Sequence, residues 1–395
     1  MAKVAFWYDR PQEYSGGLNY IRNLLHAISV AGDARVQTYV FFGTKVDDAV
    51  VAQFRPLATV VRTRVLDRKS VPWFIHKVLF KLFGSLLVVN AVVARYGISI
   101  VSHAEHVYGK GRPYRLISWI PDFQYLHLPE LFPTIDTGAE SARLRKIIGD
   151  SDIVVLSSHD ALRDFSAIAP PAMAARARVL QFVSQPGAAP ASDSAATARA
   201  IAGQYGVEGK YFYLPNQFWK HKNHMVVFEA VRLLREAGRE VLVVCTGNLT
   251  DYRFNTTEYI DGIERFLEQN GLKSNIKILG LVSYNEVLHM MRHAVAVINP
   301  SHFEGWSSSV EEAKSIGKKV ILSNIGVHRE QLPADSVYFE PDDAPALAEI
   351  LGAAWDASAG GVDQQREAEA RELLRQRTLD YGRAYVALVH ELDRA

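Results

Sequence analysis

The residues with the clearest chemical potential lie together in FEGWSSSVEEAKSIG, 303–317. Glu304 follows an apolar run of strand length, VAVINPS (295–301), and precedes a helical pattern. Ser308 and Glu311 have capping-box spacing, which predicts a helix starting near Ser308. A helix start presents unpaired N–H groups and a partial positive charge, the makings of an anion site. Glu312 falls in the first turn, with seven residues between it and Glu304. One carboxylate is thus on the loop and one on the helix, flanking the anion site. Carboxylates accept hydrogen bonds from vicinal hydroxyls, so the combination describes a pocket for a sugar joined to a nucleoside diphosphate. Helix-dipole compensation by Glu311 and Glu312 is the plainer reading, but it leaves Glu304 and Gly305 without a purpose.

Such a site needs strands that end where helices begin, and the second half of the chain supplies them. Apolar runs recur at 211–215, 240–247, 276–282, 295–301, 318–323 and 336–340. Helical patterns separate them at 224–237, 257–270, 284–293, 308–316 and 344–357, with a long last helix at 364–393. Alternation of this kind predicts a parallel sheet covered on both faces. The first half is similar but less regular, with strands at 3–8, 36–43, 59–65, 98–103, 115–120, 153–157 and 178–183, and helices at 17–31, 73–95, 138–149 and 159–167. The small, polar stretch 184–198 reads as a linker. The expectation is an α/β protein of two Rossmann-like domains, 1–190 and 191–375, with parallel sheets facing across a cleft. Residues 376–395 form a helix that could cross back to the first domain. Ligands of such sheets bind at the carboxyl ends of the strands.

Composition narrows the class. With 395 residues, 48% hydrophobic and 22% charged, the chain is an ordinary globular protein. A single cysteine, Cys245, excludes a disulfide framework or a cysteine-rich zinc site. The start, MAKVAFWYDR, lacks the apolar core of a signal peptide, and no apolar stretch reaches the length of a membrane span. The expectation is a cytoplasmic protein. No GxGxxG follows a strand; Gly109 and Gly111 lack the third glycine. Walker, HExxH and GxSxG motifs are absent too. Asp150 and Asp152 have D-x-D spacing, but they precede the strand at Ile153 and read as solvated turn carboxylates. No metal and no cofactor is expected.

The 303–317 segment resembles the Glu, seven residues, Glu signature of retaining GT-B glycosyltransferases of the large family-four (glycosyl transferases group 1) type, which includes bacterial surface-polysaccharide enzymes. PNQFWKHKNHMVVFEA (215–230) is similar to that family's first donor-domain loop and helix, SGGLNYIRNLL (15–25) to its glycine loop, and WIPDFQYLHLPELF (119–132) to an acceptor-domain segment. The resemblance implies that Glu312 binds ribose hydroxyls and Glu304 holds the transferring sugar. It implies that the amides of Gly305, Trp306 and Ser307, with Ser308 beside them, contact sugar and phosphate, and that Lys222 pairs with the diphosphate. Gly16 and Gly17 would admit a phosphate or sugar, or simply form a tight turn before a helix, and the backbone at Gly280 to Val282 would line the base. Two departures stand out. Gln217 occupies the position of the family's usual arginine, where Lys220 either substitutes or has only a surface role, and Gly305-Trp306-Ser307 replaces the usual Gly-Phe-Gly. The implied reaction is retaining, hexosyl and metal-independent, with the acceptor hydroxyl on a glycan or lipid-linked acceptor; Asp122 either positions that hydroxyl or, following Pro121, is a plain turn residue. His103 and His106, at the end of an apolar strand, rank below Asp122.

Two other classes compete: a non-catalytic sugar-nucleotide sensor of the same fold, and a dinucleotide oxidoreductase, which would need the missing glycine fingerprint. No nucleic-acid partner is expected. Residues 55–81 hold seven basic side chains against Asp67 alone, with Trp73, Phe74, Phe80 and Phe83 in or beside them. Ser70 and Pro72 predict a helix start, and Trp73, Lys77, Phe80 and Lys81 share one face. The pattern suits either a buried aromatic face or peripheral contact with an anionic membrane surface.

Overall fold

The computed structural model describes residues 1–8, 15–104, 111–132, 136–186, 200, 201, 203–251 and 257–394. The chain forms two compact units: 1–129, 133–183 and 375–395 make the first, and 130–132 with 184–374 the second. Most of the stretch read as a linker, and also His106 and Gly109, fall outside the described residues.

All thirteen expected strands form, several shorter than their apolar runs. In the first unit they are β1 (Ala2–Tyr8), β2 (Val36–Phe42), β3 (Thr59–Arg62), β4 (Ile100–Ala104), β5 (Arg115–Ile120), β6 (Ile153–Leu156) and β7 (Ala177–Val179). In the second they are β8 (Phe212–Leu214), β9 (Val243–Cys245), β10 (Ile276–Ile278), β11 (Val297–Asn299), β12 (Val320–Ser323) and β13 (Val337–Phe339). The sheets run β3-β2-β1-β4-β5-β6-β7 and β10-β9-β8-β11-β12-β13. Every pairing is parallel. Both orders reverse direction beside the unit's first strand, between β1 and β4 and between β8 and β11. That reversal opens a crevice at the carboxyl ends of the strands.

Strand alternation explains why the second sheet is apolar throughout. Phe212 and Leu214 pack on one face with the helices His224–Glu236, Glu258–Gln269 and Ala344–Ala357, while Tyr213 packs on the other with Tyr284–His293 and Ser308–Ser315. A sheet buried on both faces needs side chains of both parities to be apolar. Cys245 belongs to this core; burial pushes its thiol up, which makes it inert.

Two expectations need correction. The helix expected over 73–95 is two helices, Val71–Phe83 and Leu87–Tyr96, because Gly84 adopts a left-handed φ of 62° and caps the first. Short helices at Asp48–Ala52, Gln124–His127, Pro171–Ala174 and Gly326–Gln331 were not anticipated, being too brief to show a period. The last helix spans Gln364–Arg394. From Arg375 on it belongs to the first unit, where Tyr385 and Val389 are fully buried and a Cβ on Gly382 would meet the Ala27 carbonyl.

Candidate functional site

The crevice of the second sheet is bounded by the loop after β8 and the loop after β11. After β8 the chain passes Asn216 and Gln217, makes a 3-10 turn at Lys220–Lys222, turns left-handed at Asn223 (φ 52°) and enters the helix His224–Glu236. After β11 it passes Ser301 and Glu304 and enters Ser308–Ser315. The His302 amide donates to the His221 carbonyl at 2.8 Å and ties the two loops together.

This arrangement puts Lys222 on Glu304. The ammonium lies 2.7 Å and 2.8 Å from the two carboxylate oxygens, and both side chains are largely buried, at 14% and 8% exposed. The Ser301 hydroxyl donates to Oε1 at 2.8 Å. Burial alone would raise the Glu304 carboxyl, but the Lys222 charge, the nearby His328 and these hydrogen bonds outweigh it and hold it below its ordinary value. Glu304 is therefore an ionised carboxylate kept in a buried place by one cation.

Around the pair is a net of neutral groups. Asn299, fully buried at the end of β11, donates to Ser307 Oγ at 2.8 Å and accepts from Ser301 Oγ at 2.7 Å and from Asn216 Nδ2 at 3.2 Å. His328 is wholly buried and bonds the Ser323 carbonyl through Nδ1 at 2.9 Å; burial lowers its pKa. The helix cap is Ser307, whose Oγ accepts from the Val310 amide at 3.5 Å, not Ser308, which is exposed. Glu311 turns inward and accepts from Gln331 Nε2 at 3.3 Å instead of completing a capping box. Gln331 also takes the Ser307 amide at 3.2 Å, so that N–H is already engaged. Trp306 is buried and Gly305 half-buried.

Glu312 is the fifth residue of its helix, beyond the first turn. It accepts the Tyr284 hydroxyl at 3.0 Å. Burial pushes its pKa up to about 7, against the lowering effect of that hydroxyl. Tyr284 opens the helix that follows Gly280 and Val282, both half-buried, and Ser283 caps that helix in a full capping box with Glu286. The Gly280 carbonyl takes the Gly247 amide at 2.9 Å. Gly247 (φ 153°) must be glycine, since a Cβ there would overlap the Asn216 carbonyl. Gln217 accepts the Asn248 amide at 2.6 Å and so braces this same loop, while Lys220 is exposed.

The remaining candidates lie in the first unit. Gly16 and Gly17 sit inside the first turn of the helix Ser15–Ala31, not in a loop before it. Asp122 accepts the Gln124 amide at 3.0 Å, an Asx turn. His103, at a bulge in β4, has a left-handed φ of 58° and is held between the Tyr20 hydroxyl (2.9 Å to Nε2) and the Ser102 hydroxyl (2.9 Å to Nδ1). Asp152 accepts from Arg112 and from the Leu116 amide, each at 2.7 Å, so it serves structure. Among the described residues no three His, Cys, Asp or Glu side chains gather as metal ligands.

Sequence reasoning singled out Lys222 and Glu304 separately and missed both their bond and the net around it: Asn216, Asn299, Ser301, Tyr284, His328 and Gln331. One signal was available. Asn216 and Asn299 are polar residues closing apolar runs at a switch point, where a buried amide needs partners.

Residues 202–358 match the family model described as Glycosyl transferases group 1. The O-antigen chain mannosyltransferase RfbU of Salmonella typhimurium is 26% identical over 161 residues, 41% of this chain and 40% of RfbU. The chain thus matches about two fifths of that relative's length. HepE of Anabaena, solved with UDP and glucose, superposes with a TM-score of 0.68 at 15% identity, covering 99% of this chain and 100% of HepE. A glycosyltransferase from Rickettsia africae gives 0.67 at 14%, covering 99% and 98%. These likenesses extend to both units, and the family match falls on the unit that carries Lys222, Glu304 and Glu312. Residues 202–358 thus resemble glycosyl transferases group 1, and the chain as a whole has the GT-B fold.

Proposed function

We propose that this protein is a retaining, metal-independent hexosyltransferase that moves a sugar from a nucleoside diphosphate sugar to a hydroxyl of a glycan or lipid-linked acceptor, in surface-polysaccharide synthesis. The observation that carries the reading is the Lys222–Glu304 pair, two ionised groups buried against each other beside the start of the helix Ser308–Ser315. A buried pair of this kind is costly to maintain for stability alone. It is well suited to a ligand that brings its own negative charge and its own hydroxyls. The diphosphate takes Lys222, and the released carboxylate oxygens of Glu304 accept the sugar hydroxyls. As the bond from the anomeric carbon to the diphosphate breaks, Lys222 and the helix N-terminus stabilise the growing charge, so that no metal is required. The acceptor hydroxyl attacks from the face the diphosphate leaves, which preserves anomeric configuration. Asp122 positions that hydroxyl, and Glu312 accepts the ribose hydroxyls.

The relatives support this donor class: HepE was solved with UDP and glucose, and RfbU is a mannosyltransferase of O-antigen chains. The test starts with thermal shifts in UDP-, GDP- and dTDP-sugars. A nucleotide bound only by the native state raises stability by about 2.7 kcal/mol at one hundred times Kd. The sugar that shifts the transition is then assayed for transfer and for acceptor-free hydrolysis, with and without EDTA. Turnover that survives EDTA and keeps the donor's anomeric configuration supports the proposal. Binding with no turnover in either assay, in wild type, would make the protein a sensor instead.

A further inference from the structure

The helix Val71–Phe83 has no buried residue. Its ends are fixed: Ser70 Oγ takes the Trp73 amide at 3.2 Å and donates to the Arg64 carbonyl, and Gly84 closes the other end. Its face is not covered. Val71, Phe74, Ile75 and Leu82 are 73%, 62%, 45% and 66% exposed, and the spacing of three, four and seven residues aligns them in one stripe. Phe83 is 75% exposed, and Leu87, at the start of the next helix, extends the patch at 66%. Trp73 is only half-buried, with the Lys77 ammonium 5.9 Å from its ring, so neither a packed core nor the face expected from Trp73 and Phe80 accounts for the helix. A 13-residue helix is marginal in water without a covered face.

The surrounding charge identifies the cover. From Arg68 to Ala104 there is no acidic residue. Lys77 and Lys81 edge the stripe, and Arg64, Arg68 and Lys69 stand exposed before it, none with an ion pair among the described residues. The nearest acid, Asp67, is buried and bonds Thr44. A second copy of this chain would bring like charges together across a two-fold axis. The helix is about 20 Å long, too short to cross a hydrocarbon layer about 30 Å thick, and no helix among the described residues is long and apolar enough to do so. We infer that Val71–Phe83 is a docking surface for an anionic lipid bilayer, its apolar stripe lying at the acyl boundary and its lysines at the lipid phosphates.

The proposal stands independently of the transferase reading, because its readout is binding without donor or acceptor. Full-length protein is floated with phosphatidylcholine vesicles that contain, or lack, phosphatidylglycerol. Wild type floats with the anionic vesicles at low salt and detaches as salt rises. Phe74→Ser with Leu82→Ser abolishes flotation. Lys77→Glu with Lys81→Glu lowers partitioning at least roughly 25-fold, about five-fold per lysine lost. All four side chains are exposed, so circular dichroism and melting temperature stay at wild-type values. Wild type that floats with neither vesicle, or variants that float like wild type, would overturn the proposal. An oligomer that Phe74→Ser with Leu82→Ser dissociates, without flotation, would assign the stripe to a second copy.

Discussion

The switch points of the two sheets carry different chemistry on the same strand order. In the first unit the end of β4 holds a neutral relay: Tyr385 donates to Ser102 at 2.7 Å, Ser102 meets His103, and His103 meets Tyr20. Aromatic rings close over it, with Tyr20 stacked on Trp119 at 4.2 Å. Burial pushes the His103 pKa down to about 3, so the imidazole carries no charge. In the second unit the end of β11 holds an ion pair inside a net of amides and hydroxyls. One topology therefore supports a neutral cluster in one unit and a charged one in the other. A neutral relay loses one or two hydrogen bonds when a member is removed. A buried ion pair loses its electrical balance.

That contrast can be broken in four ways, taken by expected effect. Glu304→Ala should lower transfer at least about 1000-fold, as loss of a group engaged in the transition state does, while binding of free nucleoside diphosphate persists in calorimetry. Normal transfer by this variant would remove Glu304 from the site. Lys222→Ala should reduce turnover about 100-fold. It should also destabilise the fold by about 3–5 kcal/mol in denaturant melts, because the Glu304 carboxylate is left buried and unpaired. Stability within error of wild type would mean that the pair is open to solvent. His103→Leu should cost about 1–3 kcal/mol through the orphaned Tyr20 hydroxyl and leave nucleotide affinity unchanged. A large loss of nucleotide affinity would give the first relay a share in donor binding.

The smallest effect concerns Glu312. Its carboxyl is raised from 4.5 to about 7 in the fold, so the native chain keeps a proton that the unfolded chain has already released. The stability this contributes is complete below pH 4.5 and is lost as pH rises through 7. Glu312→Gln should therefore gain on wild type as pH rises across that window, by about 1–2 kcal/mol after allowance for partial exposure. Parallel curves of melting temperature against pH would place the shift elsewhere.

The sheets were legible because parallel strands buried on both faces leave near-continuous apolar runs, as EVLVVCTG and KKVILS do. The helix start at 308 was read correctly, but its cap was misplaced by one residue because Ser307, Ser308 and Ser309 all satisfy the capping chemistry, and only the tertiary fit of Gln331 against Ser307 chooses among them. The break at Gly84 was hidden by apolar residues on both sides, which continue the helical pattern across it. Lys222 and Glu304 were each singled out, but their direct bond was not, since a contact between residues 82 apart is fixed by β8 and β11 lying side by side. The amides of Asn216 and Asn299 form no motif; their partners exist only once both strands end together.

The helix Gln364–Arg394 gives the protein a particular order of birth. Tyr385, Val386 and Val389 fill the first unit, yet roughly 190 residues of the second are made before them, about 10–40 s of ribosome time. The first unit leaves the exit tunnel with a groove along its Ser15–Ala31 helix that nothing yet fills, and Gly382 comes to lie against the Ala27 carbonyl when the last segment arrives. The unit translated first is thus the one completed last. A nascent chain halted before residue 375 would carry a finished second unit and an open first one, ready to be held by a chaperone or cut by a protease.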